Sequence, residues 1–184
     1  GVMSDATRFY ESMPLIKELA TNTKSLVIMG HLGRPKERTK DTSFWNVAES
    51  MQSQLYAQGI LVKLVNDLDE VSINEIKSND FATSKTIYLL ENIRYFAGEE
   101  SKDQSEREAF AQKLASLADV FINDAFADYR ESASTYDIAK ILPSYIGPVF
   151  LKEVQAISQF SNPNRPFVAI LGGAKLSEKL DTLN

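Results

Sequence analysis

Leu26-Val27-Ile28-Met29 runs directly, through Gly30, into His31-Leu32-Gly33-Arg34-Pro35-Lys36-Glu37-Arg38-Thr39-Lys40. Four apolar residues in a row suit a strand buried on both faces, and the stretch that follows packs four Lys and Arg side chains into a loop punctuated by Gly and Pro. In open α/β sheets ligands sit beyond the carboxyl ends of the strands, and a fixed Arg fork suits carboxylate or phosphate better than a mobile ammonium. The segment therefore reads either as an anion site or as a solvated charged loop, and alone it does not decide between them.

Two more segments repeat the arrangement. Thr86-Ile87-Tyr88-Leu89-Leu90 leads into Glu91-Asn92-Ile93-Arg94-Tyr95-Phe96-Ala97-Gly98-Glu99-Glu100, and Val120-Phe121-Ile122-Asn123-Asp124-Ala125-Phe126 leads into a loop carrying Arg130. Three strand-like runs each precede a loop with an Arg. Taken singly, each Arg reads as readily as a surface side chain or an ion-pair partner.

Between these runs the pattern turns helical. Ser4 or Asp5 can cap a helix from about Thr7 to Ala20, in which Pro14 predicts a kink or a late start. Val47, Met51 and Leu55 mark a helix over Trp45 to Gln58, stopped by Gly59. A strand at Ile60 to Val65 and one or two helical turns at Val71 to Lys77 follow. Ser101 to Leu117 reads as a helix with Phe110, Leu114 and Leu117 inward. Such βαβ alternation predicts an α/β fold: a parallel sheet flanked by helices on both faces, a Rossmann-like three-layer lobe. A boundary falls near Leu142-Pro143-Ser144. Gly147-Pro148 then opens a helix reaching Phe160, Asn162 to Pro166 stops it, and Phe167 to Leu171 reads as the first strand of a second α/β lobe.

The composition excludes several classes. With 184 residues, 43% of them hydrophobic, and a net charge of −5, the chain can bury a core and is not disordered. No run approaches the roughly 20 apolar residues of a membrane span, and the amino terminus lacks a secretory pattern, so a cytoplasmic location is the expectation. Without Cys there is neither a disulfide framework nor thiolate chemistry, and a single His excludes a His-cluster metal site. The acidic balance points away from nucleic acid and toward small anions as ligands of the Arg clusters.

Together with Gly172-Gly173-Ala174-Lys175, these strings resemble phosphoglycerate kinase. The match rests on His31 to Pro35, Glu91 to Arg94 followed by Gly98-Glu99-Glu100, Asn123 to Phe126, Ala133-Ser134-Thr135, and Pro166 to Lys175, in order over nearly the whole chain. The resemblance implies a phosphotransferase with a carboxyl group as acceptor, interconverting 1,3-bisphosphoglycerate and ADP with 3-phosphoglycerate and ATP in glycolysis. It also implies Mg2+ with the nucleotide, its protein ligand lying outside this chain, no membrane partner, and a monomeric full-length enzyme. An alternative is a truncated, non-catalytic anion-binding or structural relative of the same fold.

The resemblance further divides the chain into a phosphoglycerate-binding lobe over 1–146, an interdomain helix over 147–162, and the start of a nucleotide-binding lobe over 163–184. By the same implication the family's earlier Asp-x-Asn strand precedes Gly1 and most of the second lobe follows Asn184. The chain alone is then expected to lack kinase turnover. Arg8 and Lys175 would be catalytic, at the moving phosphoryl group. Arg8, His31, Leu32, Gly33, Arg34, Arg94 and Arg130 would bind the acid substrate; Gly172, Gly173, Ala174, Lys175 and Lys179 would bind the nucleotide. Such a transfer asks the protein mainly to align the group and neutralise its oxygens, which cations do. His31 would donate to phosphate, since no acid–base step is required. The chain departs from the family pattern at Ala127-Asp128-Tyr129-Arg130, one residue shorter than usual and without its His. Asp128 and Glu131 there would repel an anion or pair with Arg130.

Overall fold

The computed structural model describes residues 6–128, 130–161 and 163–168. Its central strand, β3 (Thr86–Leu90), is an unbroken apolar run, and the reason is visible in its neighbours. Ile87 packs with Met13, Ile16 and Ala20 of α1 (Thr7–Asn22) and with Met51 and Leu55 of α2 (Trp45–Leu55), while Leu89 meets Phe44 and Ala48. The alternate residues, Tyr88 and Leu90, pack with Ile76 of α3 (Glu70–Ser78) and with Leu114 and Ala115 of α5 (Gln104–Ala115). A period of two places successive side chains on opposite faces, so helices on both sides require apolar residues throughout. The result is a three-layer α/β arrangement.

Strands β1 (Val27–Ile28) and β2 (Leu61–Val65) flank β3, both parallel to it, in the order β1-β3-β2. Val27 registers with Tyr88 and Val62 with Ile87. The last two strands, β4 (Phe121–Asn123) and β5 (Ser144–Ile146), pair in parallel with each other as a separate ladder. The sheet expected as one layer is therefore two hydrogen-bonded groups among the described residues. Side-chain packing links them: Phe121 and Ile138 join the cluster that contains Tyr88 and Leu90.

Local chemistry sets most boundaries. The Asp69 carboxylate accepts from Ser72 N–H at 2.8 Å and starts α3; Asp103 accepts from Ser105 N–H at 2.8 Å and starts α5, three residues later than Ser101. After α2 a single 3-10 turn, Tyr56–Gln58, ends at Gly59, whose φ of 69° closes it. Pro148 occupies the first turn of α6 (Pro148–Ser158), with Gly147 before it.

Some expectations need correction. Ser4 and Asp5, the expected caps, lie outside the described residues; α1 begins at Thr7 and continues through Pro14, so the late start does not occur. The carbonyl deprived of its donor belongs to Tyr10, which is 56% exposed, so water can take the bond, while buried Met13, Ile16 and Ala20 hold the helix on its other side. Ala48 replaces Val47 among the fully buried residues of α2. Short helix α4 (Phe81–Ser84) and strand β5 were not foreseen. Of the strand expected over Phe167 to Leu171, Phe167 and Val168 are exposed and in no strand; the remainder lies outside the described residues.

Candidate functional site

Because β1 and β3 are parallel neighbours, the loops leaving their carboxyl ends emerge side by side. Ile93 N–H donates to Gly30 C=O at 3.0 Å and joins them at the root. Glu91 and Asn92, at the end of β3, then shape the cationic loop. The Glu91 carboxylate accepts from Phe44 N–H at 2.6 Å, Ser43 hydroxyl at 2.7 Å and its neighbour Asn92 N–H at 2.7 Å. The Asn92 amide donates to both Leu32 and Thr42 carbonyls, each at 2.8 Å, and Asn92 is fully buried. Two carbonyls ten residues apart are thus held by one side chain. Within the loop Gly33 has φ of 64°, a left-handed conformation that a Cβ would strain although space for one exists.

Arg94 crosses between the loops. Its guanidinium donates to Gly33 C=O at 2.7 Å and to Glu100 at 2.8 Å, and the side chain is 10% exposed. The turn after β4 brings in a third loop, where Asn123 accepts from Ala125 N–H and Asp128 N–H donates to Ala125 C=O. Asp128 stands 3.3 Å from His31 Nδ1 and 3.9 Å from Arg94. Burial, then the neighbouring Arg94 guanidinium, hold the His31 imidazole below its ordinary range; Asp128 and Glu100 pull the other way, and Arg8 adds a weaker lowering.

Of the sequence-derived candidates, His31, Gly33 and Arg94 converge here, and Leu32 lends its backbone carbonyl to the clasp. Arg8 and Arg34 are exposed, and among the described residues Arg34 makes no ion pair. Arg38 is engaged elsewhere, pairing with Asp67 at 2.6 Å and lying over the Tyr95 and Phe96 rings. Arg130 is exposed and its carbonyl accepts from Thr135 at 3.5 Å. Asp128, expected to act on Arg130, stands instead against His31 and Arg94, in the loops that leave β1 and β3, and Glu131 lies 3.5 Å from Arg107. Gly172, Gly173, Ala174, Lys175 and Lys179 lie outside the described residues. Among those described, no cluster of His, Asp and Glu could hold a metal ion.

Sequence reasoning missed the supporting carboxylates. Glu99 is buried and accepts from Ser134 N–H at 3.0 Å, tying this loop to the one-turn segment Ala133–Asp137. Asp137 is bound by Arg107 at 2.6 Å and Lys140 at 2.8 Å. Chemically, the site is a partly buried guanidinium and imidazole, flanked by exposed cations, at the carboxyl edge of parallel strands. Such an arrangement can bind an anion.

A family profile described as phosphoglycerate kinase matches residues 1–184. Curated relatives include phosphoglycerate kinases of Dictyoglomus turgidum, 38% identical over 100% of this chain and 44% of its own, and of Finegoldia magna, 36% identical over 100% and 45%. Among solved structures, phosphoglycerate kinase from Coxiella burnetii superposes with a TM-score of 0.78 at 30% identity, and that from Pyrococcus horikoshii OT3 with 0.81 at 27%. Each covers 100% of this chain, which spans 44% and 45% of theirs.

Proposed function

The chain belongs to the phosphoglycerate kinase family, and on that premise we propose that it supplies the acid-substrate half of a reversible phosphoryl transfer between 1,3-bisphosphoglycerate with ADP and 3-phosphoglycerate with ATP, in the cytoplasm. The observation that carries this reading is the meeting of His31 and Arg94 at the carboxyl ends of adjacent parallel strands, with Gly33 fixed beneath them. In this proposal Arg94, Arg34, Arg130 and His31 hold the non-reacting phosphate and Arg8 reaches toward the moving group. Residues 1–146 form the substrate lobe and 147–162 the connecting helix. Residues 163–184 begin the nucleotide lobe, in which Gly172, Gly173, Ala174, Lys175 and Lys179 meet the nucleotide phosphates. Mg2+ accompanies the nucleotide, supplying further neutralisation of its oxygens.

His31, the sole histidine, gives a single imidazole signal by which NMR can follow binding. Addition of 3-phosphoglycerate should move it, and glycerate without the phosphate should not. Arg34→Ala and Arg94→Ala should each weaken the response by about 10-fold or more, as expected for loss of a charge-assisted phosphate contact. In kinetics on the complete gene product the same two changes raise KM for 3-phosphoglycerate, whereas Lys175→Ala lowers kcat. Equal responses to the two acids, or unchanged binding in both Arg variants, would remove the substrate site. Binding without turnover by the complete product would identify a non-catalytic relative.

A further inference from the structure

The cluster at the loop ends is nearly self-neutralised. Arg94 faces two carboxylates, Glu100 at 2.8 Å and Asp128 at 3.9 Å, and Asp128 also lies 3.3 Å from the only imidazole. Glu100 is 43% exposed and can swing into water; Asp128 is 13% exposed, lodged between His31 and Arg94 where an incoming phosphate oxygen would have to sit. We infer that Asp128 is an internal competitor for the anion site: its carboxylate occupies the position between His31 and Arg94, and an anionic substrate binds only by displacing it. This inference rests on the proposed acid-substrate reading of the same cluster.

The chemistry follows from charge. A carboxylate and a phosphate oxygen are alternative acceptors for the same donors, so whichever is present satisfies them, and both together repel. Asp128 sits on a short turn after β4, its own N–H donating to the Ala125 carbonyl; the turn is held upstream by Ala125 N–H on Asn123 and by Phe126 against Phe150, and Asp128 itself belongs to no ladder, so its side chain can turn away without disturbing one. Displacement costs the Asp128 contacts. The same displacement cost opposes every anion, so Asp128 weakens carboxylate and phosphate ligands by the same factor and leaves the choice between them to His31 and Arg94. The groups facing His31 are Arg94, Asp128, Glu100 and Arg8. With Asp128 gone, only Glu100 remains to favour the protonated imidazole.

The test uses the full chain, with 3-phosphoglycerate, inorganic phosphate and acetate titrated by calorimetry at low salt into the wild type, Asp128→Asn, Asp128→Ala and Arg94→Gln. Asp128→Asn keeps the shape and should bind 3-phosphoglycerate about 10-fold more tightly, with phosphate and acetate strengthened by the same factor; Asp128→Ala should do the same. A pH titration of the His31 signal without ligand should give a lower pKa in both variants. If neither Asp128 variant tightens binding while Arg94→Gln weakens it, the competitor role is overturned and the substrate site stands. If Arg94→Gln leaves 3-phosphoglycerate binding unchanged, both fall. An unshifted His31 pKa in both Asp128 variants also overturns the inference, because the contact would then not exist in solution.

Discussion

Glu99 is 2% exposed, its carboxylate oxygens turned toward Ser134 N–H at 3.0 Å and the Ser134 hydroxyl at 2.5 Å, with Asp128 adding like charge. Burial is the dominant influence and pushes its pKa up to about 7; the Ser134 hydrogen bonds only partly offset that. The folded chain therefore keeps a proton that the unfolded chain releases near the ordinary value of 4.5. Stability from this group is full below pH 4.5 and lost as pH rises through about 7, by roughly 3 kcal/mol at most between pH 4.5 and 8. Urea unfolding at pH 5 and pH 8 should show a smaller drop in Glu99→Gln than in the wild type. A drop of equal size in both would mean that Glu99 is ionised throughout. Its neighbour Glu100, one residue on, is 43% exposed and pairs with Arg94, so adjacent and identical side chains stand in opposite electrostatic surroundings.

At the scale of elements, the one-turn segment Ala133–Asp137 is joined to α5 by a carboxylate shared between two cations. Asp137 is 1% exposed; burial alone would raise its pKa, but hydrogen bonds from Lys140 and Arg107 outweigh this and hold it below the usual carboxylate range. Arg107 also reaches Glu131 at 3.5 Å, yet Glu131 is 65% exposed. Asp137→Ala should therefore destabilise the chain clearly in urea, and Glu131→Ala hardly at all, because only the first leaves a buried guanidinium without its partner. Equal losses would show that the network acts through the surface pair. The same contrast explains what could be read from sequence. Strand β3 was legible to the residue, since burial on both faces demands a continuous apolar run bounded by polar residues. Strand β5 was not: Ser144, Tyr145 and Ile146 are exposed, lie between Pro143 and Gly147, and pair with a strand more than twenty residues earlier. At the site the cations were legible as types in loops. Their carboxylate partners were not, because which loop end meets which depends on where β1, β3 and β4 stop.

For the whole molecule, the division into two ladders sets an order of stability. β3 has a hydrogen-bonded neighbour on each side and helices over both faces, whereas β4 and β5 share three register pairs and β5 is exposed along its length. Hydrogen exchange should be slowest at Ile87 to Leu90 and faster at Ile122 and Tyr145, since opening the small ladder exposes less apolar surface. Identical protection in both would mean that the packing through Phe121 and Ile138 makes them one cooperative unit. The Asn92 clasp carries this reasoning to the covalent chain itself. Leu32 and Thr42 are pinned to one buried amide, and the polypeptide between them is exposed except at half-buried Pro35 and is anchored separately by Arg38 on Tyr95 and Phe96. A protease cutting after Lys36 would sever the backbone without separating the two pieces. The nicked protein would migrate as one species until denatured, with the His31 and Arg94 edge still assembled around the break.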